Sequence, residues 1–187
     1  MGLIRSLVSD AFELARAMAG REATPSVKDA ARAALSQDGY KVLMLTRVRE
    51  TARRWHVPGV NHALRLVQTA VYGIEIGNTV ELGDGVNFAH TLGTVVGGTS
   101  KVGARVKFLG NNTIGTAKDN GCPVIEDDVV IGCGARVLGP IRIGKGAFIG
   151  ANAVVLTDVP PGAVVSGIPA KVHSRKDATD AKTNGAE

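Results

Sequence analysis

His90 is the side chain that the sequence marks out most clearly for chemistry, because it interrupts a regular run of short apolar repeats. It lies in the segment NFAHTLGTVVGGTSKVG, residues 87–103, whereas His56, His62 and His173 lie outside the repeats. An imidazole titrates near physiological pH, so in its neutral form it can act as a general base that takes a proton from a substrate. A surface histidine in a turn is the alternative interpretation.

The remaining composition excludes several other chemistries. Two cysteines, Cys122 and Cys133, are too few for a disulfide framework and lack the spacing of metal ligands, so we expect no metal and a reducing cytoplasm. The net charge of +5 favours an anionic ligand or surface. No motif combines aromatic and basic residues, so we expect no nucleic-acid partner.

Large aliphatic or aromatic residues recur every six positions from about residue 74 onward. Glycine often follows directly, where it permits a tight corner, and a smaller apolar residue often stands four positions after the large one. Such a period is typical of a parallel β-helix, in which three hexads form one triangular coil and the large residues stack in the centre. The thirteen large residues, called anchors below, are Ile76, Leu82, Phe88, Val96, Val102, Phe108, Ile114, Ile125, Ile131, Val137, Ile143, Ile149 and Val155.

The phase of the anchors breaks twice, and insertions in a solenoid map to loops that are often functional. Phe88 and Val96 are eight residues apart, so two extra residues enter the coil that carries His90. Ile114 and Ile125 are eleven apart, with GTAKDNGCPV between them, which predicts a projecting loop. Both breaks flank the same stretch of coil.

The region before the repeats shows the spacing of helices. We predict an α-helical region over residues 1–72, the β-helix over 73–172 and a disordered polar tail over 173–187. Pro25 is expected at the first position of a helix. No apolar run is long enough to span a membrane. Five arginines fall on the predicted helices, and we favour a solvated helix face for them over contact with a membrane surface: Arg47, Arg49, Arg53, Arg54 and Arg65.

The chain resembles the serine acetyltransferase branch of the left-handed β-helix acyltransferases over roughly residues 24 to 172. The resemblance is carried by three segments: AHTLGTVVGGT, IGCGARVLGPIRIGKGAFIGANAVVLTDVPPGAVVSGIPAKV and DGYKVLMLTRVR. It implies a left-handed prism, a homotrimer with the active site between subunits, acetyl-CoA as co-substrate, and a catalytic histidine at His90. The family's aspartate that orients this histidine falls on Glu75, which keeps a carboxylate one methylene longer.

The same resemblance places the cofactor. Small residues whose backbone would meet the pantetheine arm are Gly134, Ala135, Ala151 and Asn152, and Cys133 is expected to pack beside them. The candidates for the phosphates are Lys145, Lys171, Arg175 and Lys176.

The acceptor is predicted from the positions at which this sequence departs from the pattern of serine acetyltransferases. Serine acetyltransferases hold a zwitterion with charged side chains, but the four matching positions here carry Thr24, Ala89, Gly121 and Cys122. The loop DNGCP and the glutamate of YGIEI look more like exopolysaccharide acetyltransferases, such as the colanic acid enzyme. We therefore predict a saccharide acceptor, free or on a nucleotide or lipid carrier. The substrate-binding candidates are Asn111, Asn112, Asp119 and Cys122, with a structural role for the asparagines weighed equally. The alternatives are a serine O-acetyltransferase and a non-catalytic β-helix scaffold.

Overall fold

The computed structural model describes residues 2–20 and 23–173. Four helices precede the repeats: α1 (Leu3–Ala19), α2 (Val27–Ser36), α3 (Asp38–Arg54) and α4 (Val60–Tyr72). Ser26 caps α2, because its side chain accepts the Asp29 N–H while the Asp29 carboxylate accepts the Ser26 N–H. The helix thus begins after Ser26, and the prediction that Pro25 occupies its first position is wrong. No helix in the described ranges is long and apolar enough to cross a bilayer.

The repeats form a three-sided prism of short strands, each paired in parallel with a strand of the next coil. Sheet A contains β1 (Ile74–Ile76), β4 (Thr94–Val96), β7 (Thr113–Gly115), β10 (Arg136–Leu138) and β13 (Val154–Val155). Sheet B contains β2 (Glu81–Leu82), β5 (Lys101–Val102), β8 (Val124–Ile125) and β11 (Arg142–Ile143). Sheet C contains β3 (Asn87–Phe88), β6 (Lys107–Phe108), β9 (Val130–Ile131), β12 (Phe148–Ile149), β14 (Val164–Ser166) and the antiparallel β15 (Lys171–His173).

The core of the prism consists of the predicted anchors. All thirteen are buried, and the ladder register stacks each one on the anchor of the next coil, as Phe88 on Phe108 and Phe108 on Ile131. The rings of Phe88 and Phe108 stack with centroids 5.0 Å apart. A hexad period therefore predicts the centre of the fold residue by residue.

Five of the eight glycines that follow an anchor have no room for a side chain, a different reason from the predicted tight corner: Gly83, Gly103, Gly132, Gly144 and Gly150. A Cβ on Gly83 would lie 2.5 Å from the backbone nitrogen of Ala104, and one on Gly132 would lie 2.6 Å from that of Ala151. Neither glycine has a positive φ. These positions therefore exclude a side chain because the next coil approaches closely, not because the turn needs a left-handed backbone.

Two buried arginines attach the helices to the lower end of the prism. Arg47 donates to both carboxylate oxygens of Asp10 and to the carbonyls of Leu82 and Gly83. Arg49 donates to Ile76 and to three neutral side chains (Asn61, Gln68 and Asn78). Only 7% of Arg47 and 3% of Arg49 is exposed, so the predicted solvated helix face is wrong for these two arginines. Arg53, Arg54 and Arg65 are exposed.

Candidate active site

The turn that carries His90 joins sheet C to sheet A at one edge of the prism. Its two extra residues bulge out before β4 begins. The bulge is closed by two hydrogen bonds: the Gly93 N–H donates to the Gly73 carbonyl at 2.9 Å, and the Thr94 N–H donates to the Thr91 carbonyl at 3.2 Å. Leu92 lies against Gly73. His90 is exposed as a result. The insertion therefore presents an imidazole to solvent at a corner where the other coils carry small residues.

The next coil of the prism lies directly above this turn. Gly110 has a φ of +116°, and a Cβ there would lie 2.9 Å from the Cβ of His90. Asn111, with a φ of +50°, donates its N–H to the carbonyl of Leu92 at 3.1 Å. A side chain at Gly110 would displace the histidine, so this glycine helps to set the position of His90.

Glu75 lies at the centre of β1 with its side chain on the outer face of sheet A. Its carboxylate accepts a hydrogen bond from Arg65 of α4, and both side chains are 44% exposed. Within the described ranges, no hydrogen bond joins Glu75 to His90. Since Arg65 contacts Oε1, the predicted role of Glu75 in orienting His90 stays a prediction that would use the second carboxylate oxygen.

The two asparagines predicted to bind substrate have different surroundings. Asn111 is exposed beside the His90 turn. Asn112 is fully buried, and its amide accepts the Gly110 N–H and donates to the Gly132 carbonyl at 2.7 Å. Asn112 therefore holds two coils together, and its predicted contact with substrate is wrong.

The projecting loop, residues 116–123, leaves sheet A at the edge opposite to His90. Cys122 places its sulfur against Gly98, and Gly121 packs against Pro140, so the loop stays at that opposite corner. In one chain, Asp119 and Cys122 are thus separated from His90 by the width of sheet A. Their predicted contact with the acceptor stays a prediction, which the loop of a second chain would satisfy.

The cofactor candidates fall in three places. By register, His90, Gly110, Cys133 and Ala151 lie one above another along the same corner. Gly134 and Asn152 follow one residue later, and Asn152 N–H donates to the carbonyl of Cys133. Small side chains therefore border the corner above His90, and the backbone of these later coils is accessible to an extended ligand. Cys133 is exposed on this corner, and its predicted packing beside the cofactor stays a prediction.

Ala135 does not belong to this accessible row. It is fully buried, its N–H donates to the Gly132 carbonyl and its own carbonyl accepts the Thr113 N–H. Its predicted contact with the pantetheine arm is therefore wrong.

The basic candidates are spread over the prism. Lys145 is exposed at the corner between sheets B and C, where its N–H donates to Glu126. The hydrogen bonds from Arg142 and from Lys145 lower the pKa of Glu126. Lys171 is exposed on β15, whereas Arg175 and Lys176 lie outside the described residues. Across the described ranges, no three His, Cys, Asp or Glu side chains come together to hold a metal ion.

Arg136 lies beside the candidate site, and the sequence reasoning missed it. It lies on β10 and donates to the carbonyl and side-chain oxygen of Asn111, next to the His90 turn. The available signal was its place two residues after Gly134, where the hexad points a side chain outward.

Comparison with known proteins first defines the class. Residues 122–157 match the family model "Bacterial transferase hexapeptide (six repeats)". A serine acetyltransferase of Synechococcus elongatus is 34% identical over 82% of this chain and 64% of its own length. Soybean serine acetyltransferase complexed with serine is 35% identical, with a TM-score of 0.78 over 90% of this chain and 70% of that one. A serine acetyltransferase in complex with CoA is 30% identical, with the same score and coverage.

The chain therefore belongs to the serine acetyltransferase branch of the left-handed β-helix acyltransferases. The predicted helical region followed by a left-handed β-helix is confirmed. The chain spans 64% of the length of the Synechococcus relative and 42% of that of a Haemophilus influenzae relative.

The predicted saccharide acceptor is contradicted by these relatives. Curated serine acetyltransferases match the chain at 34 to 46% identity. The prediction assumed that an amino-acid acceptor must be held by charges at Thr24, Ala89, Gly121 and Cys122. The likeness to these relatives overturns that assumption, so the uncharged residues at the four positions do not exclude an amino-acid acceptor.

Proposed function

We propose that this chain transfers the acetyl group of acetyl-CoA to the hydroxyl of L-serine. The observation that carries the proposal is the likeness to soybean serine acetyltransferase complexed with serine, over 90% of the chain. The exposed His90 in its inserted turn supplies the chemical group that such a transfer needs.

His90 acts as the general base in this proposal. A serine hydroxyl is weakly acidic, so its attack on a thioester is accelerated when a neutral imidazole takes its proton, typically by about 10²- to 10⁴-fold. A carboxylate on the second ring nitrogen fixes the tautomer, and Glu75 is the candidate on the neighbouring strand of sheet A. Backbone N–H groups at the coil edge are suited to steady the oxyanion.

The corner above His90 fits the donor. Acetyl-CoA supplies the acetyl thioester, and its extended arm needs a surface without large side chains. Gly134, Ala151 and Asn152 border such a surface on the coils that follow Gly110. Support comes from the related enzyme solved in complex with CoA.

The active site is further proposed to lie between subunits of a homotrimer. His90 and the loop over residues 116–123 occupy opposite edges of sheet A, so the loop of one chain is free to approach the corner of another. Exposed apolar side chains lie near that corner, with 67% of Val71 and 72% of Leu92 accessible. Such residues are typical of a surface that a partner covers.

The test is acetyl-CoA turnover with L-serine by wild-type protein and by the His90→Ala variant. We expect the variant to lose at least about 100-fold in kcat and to bind acetyl-CoA as the wild type does in calorimetry. His62→Ala, an exposed histidine on α4, is the matched control and should keep full activity. A wild-type protein that binds acetyl-CoA but leaves millimolar L-serine unchanged would refute the proposed acceptor. Absence of acetyl-CoA binding would favour the scaffold alternative.

A further inference from the structure

The guanidinium of Arg136 is held beside the His90 turn by only one of its edges. Nη1 donates to the Asn111 carbonyl, and Nη2 donates to the Asn111 side-chain oxygen at 3.3 Å. A weaker contact joins Nη1 to the Ala135 carbonyl at 3.4 Å. Within the described ranges, the Nε–H and the outer Nη2–H donate to no acceptor. These two parallel N–H groups form the fork that matches a carboxylate.

Asn111 links this fork to the catalytic turn. Its N–H donates to the carbonyl of Leu92 at 3.1 Å, and its side-chain oxygen would lie 3.1 Å from a Cβ placed on Gly93. Arg136 lies one strand above Thr113 in sheet A and reaches down to Asn111. Because neighbouring parallel strands lie roughly 4.8 Å apart, the guanidinium is within about one coil of the His90 turn.

The charge of Arg136 is also uncompensated, unlike that of three other exposed or partly exposed arginines. Arg105 pairs with Asp128, Arg142 with Glu126 and Arg65 with Glu75. Arg136 has no carboxylate within 4 Å among residues 2–20 and 23–173, and its partners are neutral oxygens of Asn111 and Ala135. The partly exposed guanidinium is thus fixed in position by neutral groups and is available to pair with an anion.

We propose that Arg136 binds the carboxylate of the amino-acid acceptor and so selects an α-amino acid over a simple amino alcohol. This inference rests on the proposed function, because it assigns the group that recognises L-serine in that reaction. Asn111 fixes one edge of the guanidinium, and the acceptor carboxylate takes the other. The acceptor hydroxyl is then within reach of His90 from the same side of the corner.

The same cation is close to the corner proposed for acetyl-CoA, whose phosphates are also anions. The two ligands are distinguished by steady-state kinetics, since loss of an acceptor contact raises the KM for serine and loss of a donor contact raises the KM for acetyl-CoA. Ethanolamine, which is serine without its carboxylate, serves as the second acceptor.

The experiment compares wild type with Arg136→Gln and Arg136→Lys. Glutamine retains a donor for Asn111 but has neither charge nor fork, and lysine retains the charge without the fork. We expect Arg136→Gln to lower kcat/KM for L-serine by about 10- to 100-fold, the range of one charge-assisted contact. Its kcat/KM for ethanolamine and its KM for acetyl-CoA should stay unchanged. Arg136→Lys should fall between wild type and Arg136→Gln.

Arg142→Gln is the control, since it removes an exposed arginine of sheet B, away from the His90 corner, and should leave both acceptors unaffected. Equal losses for serine and ethanolamine, or a raised KM for acetyl-CoA alone, would overturn the assignment of Arg136. Unchanged serine kinetics in a folded Arg136→Gln protein would overturn it as well. These outcomes differ from failure of the proposed function, in which the wild-type protein itself does not acetylate L-serine.

Discussion

Thr94, at the end of the His90 turn, carries a buried hydroxyl whose contribution to stability can be measured. It begins β4 directly after the turn, it is fully buried, and within the described ranges its hydroxyl has no hydrogen-bond partner. Thr46 on α3 is nearly as buried, but its hydroxyl donates to the Val42 carbonyl and accepts from Gln68. The two threonines therefore form a matched pair for measuring what a buried hydroxyl contributes.

We expect Thr94→Val to leave the free energy of unfolding unchanged or to raise it by about 1 kcal/mol, because it removes an unpaired polar group and keeps the shape. Thr46→Val should lower it by about 1–3 kcal/mol, because Gln68 then loses a buried partner. Urea denaturation of both variants measures the difference. A loss at Thr94 as large as that at Thr46 would show that its hydroxyl is bonded in solution.

The position of a residue within the hexad explains which site residues the sequence could predict. His90 was found because it breaks the phase of the anchors. Asn112, Thr94 and Ala135 each stand two residues before an anchor, where the coil turns side chains inward. The wrong assignments of Asn112 and Ala135 were thus avoidable from the repeat itself. The contact of Arg136 with Asn111 was not, since nothing in the repeat specifies which neighbour a long side chain reaches.

At the scale of elements, the repeat determines the coils but not how the helices attach to them. Helix and strand boundaries follow from local spacing and capping, whereas the docking of α3 depends on Arg47 and Arg49, which occupy positions that look solvated in a helical pattern. Arg49 inserts between α4 and the end of β1, where it meets the Ile76 carbonyl at 3.1 Å and the Asn78 side chain at 2.8 Å. Burial lowers the pKa of this arginine.

Removal of Arg49 should therefore loosen the helical region from the prism. We expect Arg49→Met to lower the free energy of unfolding by about 2–4 kcal/mol, because unpaired buried acceptors cost roughly 1–3 kcal/mol each. Arg53→Met changes an exposed arginine one turn later on α3 and should have an effect within about 0.5 kcal/mol. Chemical denaturation followed by circular dichroism measures both. Equal stability of the two variants would refute the role of Arg49 as the attachment point.

At the scale of the whole molecule, the proposed site is incomplete in one chain. The His90 corner is open, and the projecting loop lies across sheet A from it. Two apolar side chains of the His90 turn and of the end of α4 are largely exposed, Leu92 at 72% and Val71 at 67%. These facts share one explanation if neighbouring prisms cover that surface and bring their loops to His90.

An aspartate at this surface should prevent assembly, because it would bury an unpaired charge between subunits. We expect wild-type protein to have the mass of three chains in light scattering, and Val71→Asp to dissociate and to lose serine acetylation together. Leu35→Asp, at an exposed leucine of α2, should leave mass and activity unchanged. A Val71→Asp protein that is monomeric and fully active would show that one prism contains the complete site.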